Sequence, residues 1–442
     1  MRRPCFRSLA GGAAGIAAGV IGGVLLTSVS TAGPTPVADG PALIDATHVP
    51  PVLTVRGEPI RLRYGLVCTP RAEGLPCDGS GTVYLRAGQS GPFHPFALQR
   101  GDASKDGRYY VDVPRDIAAS PEGFSYYAVL RDDATGAAVS VPSGGADAPQ
   151  VSLPMYEPIA VALGRHLFGA VRAPDERVAA GAWGSEPDEI GLAGSRDLGF
   201  TGPSSFDVEP DGTVDMLDSV NGRVMRWGRG RREHVPISGA LELADFAAEP
   251  DGSFDVLADD TLRHLRADGT EKWAQKLAER TWAKLAHGGS VLQQPSEQWM
   301  PVSDGGAPLT RPQQRRAGHA AQLGVLVERV GEAELRVAVL RGKAPLRSWR
   351  ITSDTPLGEV QTAEPHGNGI VVVTRAYTDD RDEFVVLVLG ADGLVQRFSV
   401  ESGSWTETAP LARFRLARGG LYRLRTTEAG AFVDRFDLEV PQ

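Results

Sequence analysis

The 442-residue sequence has little that would support catalysis or nucleic-acid binding. It contains no His-Glu-x-x-His motif, no glycine-rich phosphate loop, no EF-hand loop and no Gly-x-Ser-x-Gly nucleophile turn. Lysine is rare, with five residues, and the net charge is −9, whereas a nucleic-acid-binding face must be basic to neutralise phosphates. The sequence therefore predicts no catalytic residue, no cofactor, no metal ligand and no nucleic-acid partner.

Long apolar runs are also missing, except at the amino terminus. Three arginines among the first seven residues precede an uncharged apolar stretch from Ser8 to Leu26, and small residues follow it up to Ala32. This order predicts an export signal over residues 1–33, cleaved after Ala32. The alternative is a retained membrane-anchor helix, which the glycines repeated every four residues favour. Both interpretations predict an extracytoplasmic protein, secreted or anchored to the cell membrane, with membrane contact only through this helix.

Cysteine is scarce, and only Cys68 and Cys77 of the three lie beyond the apolar segment. They flank a turn-rich stretch, and an oxidising compartment would let them pair. Closing such a short loop removes unfolded-state entropy worth roughly 3 kcal/mol in the simplest model. The sequence predicts a Cys68–Cys77 disulfide; the alternative is a metal or redox pair, which the spacing does not favour.

Turn-forming residues are abundant, with 53 glycines and 32 prolines, as expected for many short strands. Residues 34–50 are rich in small residues and predict a flexible linker. Residues 51–153 contain short segments that alternate with period two, such as Arg108–Val113 and Phe124–Leu130. About seven such strands predict an immunoglobulin-like β-sandwich, although the Cys, Trp, Cys pattern of antibody domains is absent.

The second half of the chain carries an internal repeat. Residues 206–217 recur as residues 246–257, at an offset of 40 residues, and each copy reads strand, Pro-Asp-Gly turn, strand. The aspartate supplies an acceptor for the turn, and the glycine supplies a positive φ. The turn residues are Asp211 and Gly212 in the first copy and Asp251 and Gly252 in the second. Repeats of this length built from short strands predict the blades of a β-propeller.

Residues 202–224 carry a more specific pattern: Gly-Pro, a strand, Asp-Gly, a second strand, then Asp218, Asn221 and Arg223. This segment resembles an NHL repeat, and the second copy keeps only the Asp-Gly turn. The resemblance implies an NHL-like propeller over residues 160–442, with six blades expected and five or seven as alternatives. It also implies that Asp218, Asn221 and Arg223 brace turns within a blade.

Isolated polar residues offer weaker candidates for a metal site. His166, His264, His319 and His366 lie in or beside the repeat region, where we interpret them as blade-packing or surface residues. The acidic residues 379–383 have the oxygen ligands that calcium prefers, but their position between two strands indicates a solvated hairpin loop. A metal site gathered from either set remains the alternative.

A local basic patch follows the NHL-like motif. It consists of Arg226, Arg229, Arg231 and Arg232. The default interpretation is an exposed loop of a blade. The alternative is a surface for an acidic partner.

The sequence thus predicts an all-β protein with a sandwich followed by a propeller. Two β modules with no chemical motif favour an exported, non-enzymatic protein that binds an extracytoplasmic partner protein or ligand. The alternatives are a metal-dependent propeller lyase or hydrolase and an anchored sensory ectodomain. Fold alone does not separate them, because one scaffold hosts many functions.

Overall fold

The computed structural model shows a chain built almost entirely of β-strands. It describes residues 43–69, 79–101, 109–195, 197, 199–228, 230–239, 241, 244–249, 251–258, 261–276, 284–285, 291–293, 299–301, 324–341, 344–407 and 410–442. Helical structure in these ranges is limited to one turn of α-helix, α1 (Arg115–Ala118), and a 3-10 turn at Gly145–Asp147. The same ranges contain no helix with the length and apolarity needed to cross a membrane. The predicted signal or anchor segment, residues 1–33, lies outside them.

Ten strands form the first part of the chain. They are β1 (Leu43–Thr47), β2 (Leu53–Val55), β3 (Arg61–Thr69), β4 (Gly79–Ala87), β5 (His94–Ala97), β6 (Gln99–Arg100), β7 (Tyr109–Asp112), β8 (Phe124–Asp132), β9 (Ala138–Val141) and β10 (Gln150–Met155). One sheet has the order β1-β3-β7-β6, and the other has the order β2-β10-β8-β4-β5 with β9 paired to β8. Alternate residues of both sheets are buried in one core, for example Leu62 and Tyr64 from the first and Val83 and Tyr126 from the second. The two sheets therefore form a sandwich.

The sandwich begins earlier than the sequence indicated. The flexible linker was expected over residues 34–50, yet residues 43–47 form β1 and pair antiparallel with β3 from Leu43↔Thr69 to Thr47↔Gly65. The pairing gives backbone groups of this segment hydrogen-bond partners on an otherwise free strand edge. The predicted disulfide cannot be placed, because Cys77 lies outside the described residues.

Twenty-five further strands follow. They are β11 (Ile159–Ala162), β12 (Glu176–Gly181), β13 (Ala193–Ser195), β14 (Gly199–Thr201), β15 (Ser205–Val208), β16 (Val214–Asp218), β17 (Arg223–Gly228), β18 (Arg231–Pro236), β19 (Asp245–Ala248), β20 (Phe254–Ala258), β21 (Thr261–Leu265), β22 (Glu271–Lys276), β23 (Lys284–Leu285), β24 (Val291–Gln293), β25 (Trp299–Pro301), β26 (Val325–Val330), β27 (Glu334–Arg341), β28 (Ala344–Thr352), β29 (Leu357–His366), β30 (Gly369–Tyr377), β31 (Asp382–Gly390), β32 (Gly393–Glu401), β33 (Phe414–Ala417), β34 (Gly420–Thr427) and β35 (Gly430–Asp437).

These strands form successive up-and-down sheets. Their orders are β15-β16-β17-β18, β19-β20-β21-β22, β23-β24-β25, β26-β27-β28-β11, β29-β30-β31-β32 and β33-β34-β35-β12, and β13 pairs with β14 alone. The first strand of one sheet lies beside the first strand of the next, as for β15 beside β19, β26 beside β29, and β33 beside β15. Antiparallel sheets arranged radially along their first strands make a β-propeller.

Two early strands complete sheets that are otherwise formed late in the sequence. β12 pairs antiparallel with β35, so the C-terminal sheet receives its outermost strand from residues 176–181. β11 pairs parallel with β28. The core around β12 joins Ala179 to Phe206 of β15 and Leu424 of β34. The start and end of the propeller region are thus held together by one hydrophobic core.

The sandwich packs against the sheet β26-β27-β28-β11. Leu53 and Met155 share an apolar cluster with Ala338. Arg336, itself buried, donates hydrogen bonds to the Leu53 carbonyl (3.2 Å) and to Glu58 Oε2 (2.5 Å). Buried apolar area and a charged hydrogen bond across the same contact fix the two modules to each other.

Candidate functional site

The first strands of the propeller sheets converge on one buried arginine. Arg415 on β33 is 6% exposed. Its guanidinium donates hydrogen bonds to the carbonyl oxygens of Phe206 on β15 (3.1 Å), Phe246 on β19 (3.0 Å) and Leu285 on β23 (2.9 Å). One side chain therefore ties four neighbouring strands together.

Two buried carboxylates lie beside this guanidinium. Asp207 and Asp245 lie 3.8 Å and 3.6 Å from the Arg415 guanidinium. Each also accepts a backbone hydrogen bond from the next sheet: Asp207 from the Ala248 amide (3.0 Å) and Asp245 from the Leu285 amide (2.6 Å). The centre is thus a buried hydrogen-bonded network that links the inner strands of neighbouring sheets.

The NHL-like residues brace a neighbouring loop. Asp218 accepts hydrogen bonds from the Gly191 amide (3.0 Å), from Asn221 Nδ2 (2.8 Å) and from Arg223 Nε (3.0 Å). Arg223 donates to the carbonyls of Glu186 (2.8 Å) and Glu189 (2.7 Å). These contacts fix residues 184–191 against the turn between β16 and β17.

The two Asp-Gly turns of the repeat have the same local geometry. Asp211 Oδ1 accepts from the Thr213 amide (2.9 Å), and Asp251 Oδ1 accepts from the Ser253 amide (3.0 Å). The glycine that follows each aspartate has a positive φ, +95° at Gly212. Such a φ favours glycine because it has no Cβ.

The histidine candidates lie apart from one another. His264 Nδ1 contacts Asp255 Oδ1 (2.8 Å), and His366 Nε2 contacts the Glu439 carbonyl (3.1 Å). His319 is outside the described residues. Across the described ranges no three His, Cys, Asp or Glu residues are grouped to hold a metal ion.

The acidic hairpin between β30 and β31 differs from the expected solvated loop. Glu383 is buried, and its Oε2 lies 2.8 Å from His166 Nε2. Its Oε1 accepts from the Gly169 amide at 2.5 Å. Asp382 pairs with Arg375 (2.8 Å). The interpretation as a solvated loop is therefore wrong for Glu383, which fastens the 166–169 segment to the sheet because a buried carboxylate requires partners.

A basic groove lies between two adjacent propeller sheets. It has a volume of about 590 Å³ and separates the sheet β15–β18 from the C-terminal sheet completed by β12. Its charged lining residues are Glu176, Arg177, Arg231, Arg232, Arg418 and Arg435. Five guanidiniums and one carboxylate line it, but Asp434, Asp437 and Asp188 also pair with its arginines from outside the lining. Within the described ranges, the positive charge left without a carboxylate is that of Arg231 and Arg418. We name this cavity the inter-sheet groove.

Three of the five arginines are engaged within the protein. Arg435 pairs with Glu176 (3.3 Å), and Arg177 pairs with Asp434 (3.2 Å). Arg232 donates to the carbonyls of Asp188 (2.8 Å) and Ala180 (2.7 Å). These contacts hold the walls of the groove in place.

The other two arginines have no carboxylate partner in the described part of the chain. Arg231 is exposed at the start of β18, and Arg418 is exposed in the turn between β33 and β34. Arg418 donates to the Asp211 carbonyl (3.1 Å) and has a φ of +48°. A Cβ at Gly212 would lie 2.0 Å from Arg418 Nη1, so the glycine makes room for this side chain.

Two aromatic residues contribute neutral donors to the groove. Tyr422 on β34 lines the groove and is 3% exposed. Burial raises the pKa of this hydroxyl, whereas Arg435 and Arg418 oppose the rise. The indole N–H of Trp227 is buried and has no acceptor among the described residues.

A carboxyl pair lies next to the groove. Arg226 donates to Asp215 Oδ1 (2.8 Å) and to Glu209 Oε1 (2.8 Å). Burial and the neighbouring Asp215 raise the pKa of Glu209 to about 7, and burial raises the pKa of Asp215. The two carboxyls titrate as a pair rather than independently.

This pair predicts a pH-dependent stability. The folded-state pKa of Glu209 lies above the ordinary glutamate value of 4.5, so its contribution to stability is fully present below pH 4.5 and is lost as the pH rises through about 7. Relative to Glu209→Gln, the wild type should lose roughly 1 kcal/mol of unfolding free energy between pH ~5 and pH ~8, after allowance for solvent screening. Urea unfolding at each pH measures this, with Glu428→Gln on an exposed turn as the control. A difference between wild type and Glu209→Gln that stays constant with pH contradicts it.

Sequence reasoning found only one wall of the groove. Arg231 and Arg232 belong to the predicted basic patch, whereas Arg226 binds the carboxyl pair and Arg229 lies outside the described residues. Arg177, Arg418 and Arg435 were missed, because they come from strands that meet only when β12 joins the C-terminal sheet. Finding these three arginines from the sequence would have required the prediction that β12 pairs with β35.

No protein-family model and no curated protein matches the sequence. Solved structures similar to the chain include virginiamycin B lyase from Staphylococcus aureus, at 8% identity and a TM-score of 0.26, over 56% of this chain and 87% of that chain. A protein of unknown function from Bacteroides thetaiotaomicron is 9% identical with a TM-score of 0.26, over 90% of this chain and 98% of that one. A gluconolactonase from Xanthomonas campestris is 10% identical with a TM-score of 0.22, over 60% and 90%. At these values the similarities assign no activity to the chain.

Proposed function

We propose that the protein is an exported, non-enzymatic binding protein that holds an extracytoplasmic partner or ligand in the inter-sheet groove. The observation that carries this proposal is the groove itself, where Arg231 and Arg418 have no carboxylate partner in the described part of a chain of net charge −9. A positively charged surface on a negatively charged protein favours binding of an anionic partner. The amino-terminal arginines and apolar run support export.

The finer architecture belongs to the same proposal. Among the described residues, the sheets that begin with β15, β19, β23, β26, β29 and β33 support six blades, with β12 as the outer strand of the last. The bracing by Asp218, Asn221 and Arg223 supports an NHL-type repeat in the sheet β15–β18. The two-sheet core of residues 43–155 supports an immunoglobulin-like sandwich.

The chemistry of the groove supports binding rather than catalysis. Guanidiniums stay protonated and cannot act as general bases. The one carboxylate among the lining residues, Glu176, is paired with Arg435.

Photo-crosslinking from the groove tests the proposed function. Val178, a half-buried lining residue on β12, is replaced by p-benzoylphenylalanine in the full-length protein, which is irradiated with cell-envelope extract. We expect one dominant adduct, because a bound partner places its atoms within reach of the label. The intact mass of the recovered protein also reports whether residues 1–33 were removed.

The control carries the same label at Arg375, an exposed position on β30 in another sheet. It should give no adduct of the same mass. Equal adducts from both positions, or none from position 178, contradict the groove as the binding site.

A further inference from the structure

We infer that the ligand of the inter-sheet groove is a carboxylate-rich peptide segment of a partner protein. The inference rests on the proposed function, namely that the groove is the binding site. It adds the chemistry of the ligand, which follows from the donors that the groove presents.

The charged donors select an anion. Arg231 and Arg418 have no carboxylate partner in the described part of the chain, and they lie on opposite walls, at the start of β18 and in the β33–β34 turn. A guanidinium presents its N–H groups as a planar fork that matches the two oxygens of a carboxylate. The side chains already in place therefore offer two separate carboxylate sites, one on each wall.

The neutral donors favour a peptide over a simple anion. The Tyr422 hydroxyl lies where Arg418 and Arg435 both influence its pKa, so it belongs to the same part of the groove. A peptide supplies both kinds of acceptor, side-chain carboxylates for the guanidiniums and backbone carbonyls for a neutral hydroxyl.

The dimensions of the groove agree with a chain segment. A cavity of about 590 Å³ exceeds what one phosphate or carboxylate ion fills. The arginines come from four separate places: β12, β18, the β33–β34 turn and β35. A ligand that contacts both walls must carry more than one negative group.

Fluorescence anisotropy with a labelled peptide of glutamates spaced by Gly-Ser tests the inference, with a matched glutamine peptide as the comparison. Wild-type protein should bind the glutamate peptide and not the glutamine peptide. Arg231→Gln and Arg418→Gln should each weaken binding about tenfold, the loss expected for one charged hydrogen bond. Arg375→Gln, which removes an exposed arginine from another sheet, should leave binding unchanged. Thermal unfolding of each variant checks that it is folded.

Three results overturn the inference. They are equal binding of the two peptides, unchanged affinity in both folded groove variants, and displacement of the glutamate peptide by tripolyphosphate or heparin at lower concentrations than by unlabelled peptide. The last result assigns the groove to phosphate or sulfate. Failure of the peptide to bind while crosslinking from position 178 succeeds overturns the ligand class and leaves the proposed function standing; failure of both overturns both.

Discussion

Arg415→Met should be the most destabilising single substitution among those considered, with a loss of about 3–5 kcal/mol in unfolding free energy. It removes hydrogen bonds to carbonyls on β15, β19 and β23. It also leaves Asp207 and Asp245 buried without their cation. Removing one partner of a buried charged network costs more than the net value of the pair, because the remaining charge stays desolvated.

Urea unfolding followed by tryptophan fluorescence measures this effect. Arg375→Met is the matched control, since Arg375 pairs with Asp382 at an exposed position. The control should change stability by less than about 1 kcal/mol. A similarly small loss in Arg415→Met would show that the central network does not hold the inner strands together.

Asp218→Asn should have the second-largest effect, a loss of about 2–4 kcal/mol. Asp218 is fully buried, at 0% exposure, and its carboxylate accepts from Gly191, Asn221 and Arg223. An amide of the same shape loses the charge and turns one acceptor into a donor facing other donors. Asn221→Ala, which removes a neutral donor from the same network, should cost about 1 kcal/mol.

Hydrogen exchange at the Gly191 amide distinguishes this bracing role from a direct binding role. Exchange should accelerate in Asp218→Asn, because the amide loses its carboxylate acceptor. A variant that keeps full stability and slow exchange but loses its partner would instead place Asp218 in a binding site.

Local patterns in the sequence were sufficient for part of the fold. The Asp-Gly turns at Asp211 and Asp251 follow from residue chemistry within four positions, so they are readable without tertiary information. The repeat offset of 40 residues indicated propeller sheets for the same reason. The segment 43–47 was assigned to a linker because small and prolyl residues surround it; its strand structure depends on β3, which lies elsewhere in the sequence.

The central network shows why the rest could not be predicted. Asp207 and Asp245 do not occupy equivalent repeat positions, since Ala247 stands in the second copy where Asp207 stands in the first. Arg415 lies far from both in the sequence and meets them only after the sheets are arranged around the centre. No spacing rule connects these three residues, because their contacts cross between sheets.

The inter-sheet groove was predictable to the same limited extent. Arg231 and Arg232 are close in sequence and formed a visible basic patch. Arg177 and Arg435 join them because β12 pairs with β35. Arg231 and Arg232 could therefore be found from neighbouring positions in the sequence, whereas Arg177 and Arg435 come together only through the pairing of β12 with β35.

The most direct test of the central claim, that the inter-sheet groove binds an acidic segment of a partner, combines crosslinking with competition. Protein labelled at position 178 is irradiated with envelope extract in the presence of increasing glutamate peptide or matched glutamine peptide. The account predicts that the glutamate peptide abolishes the dominant adduct and that the glutamine peptide leaves it intact. An adduct that persists with saturating glutamate peptide would contradict the claim.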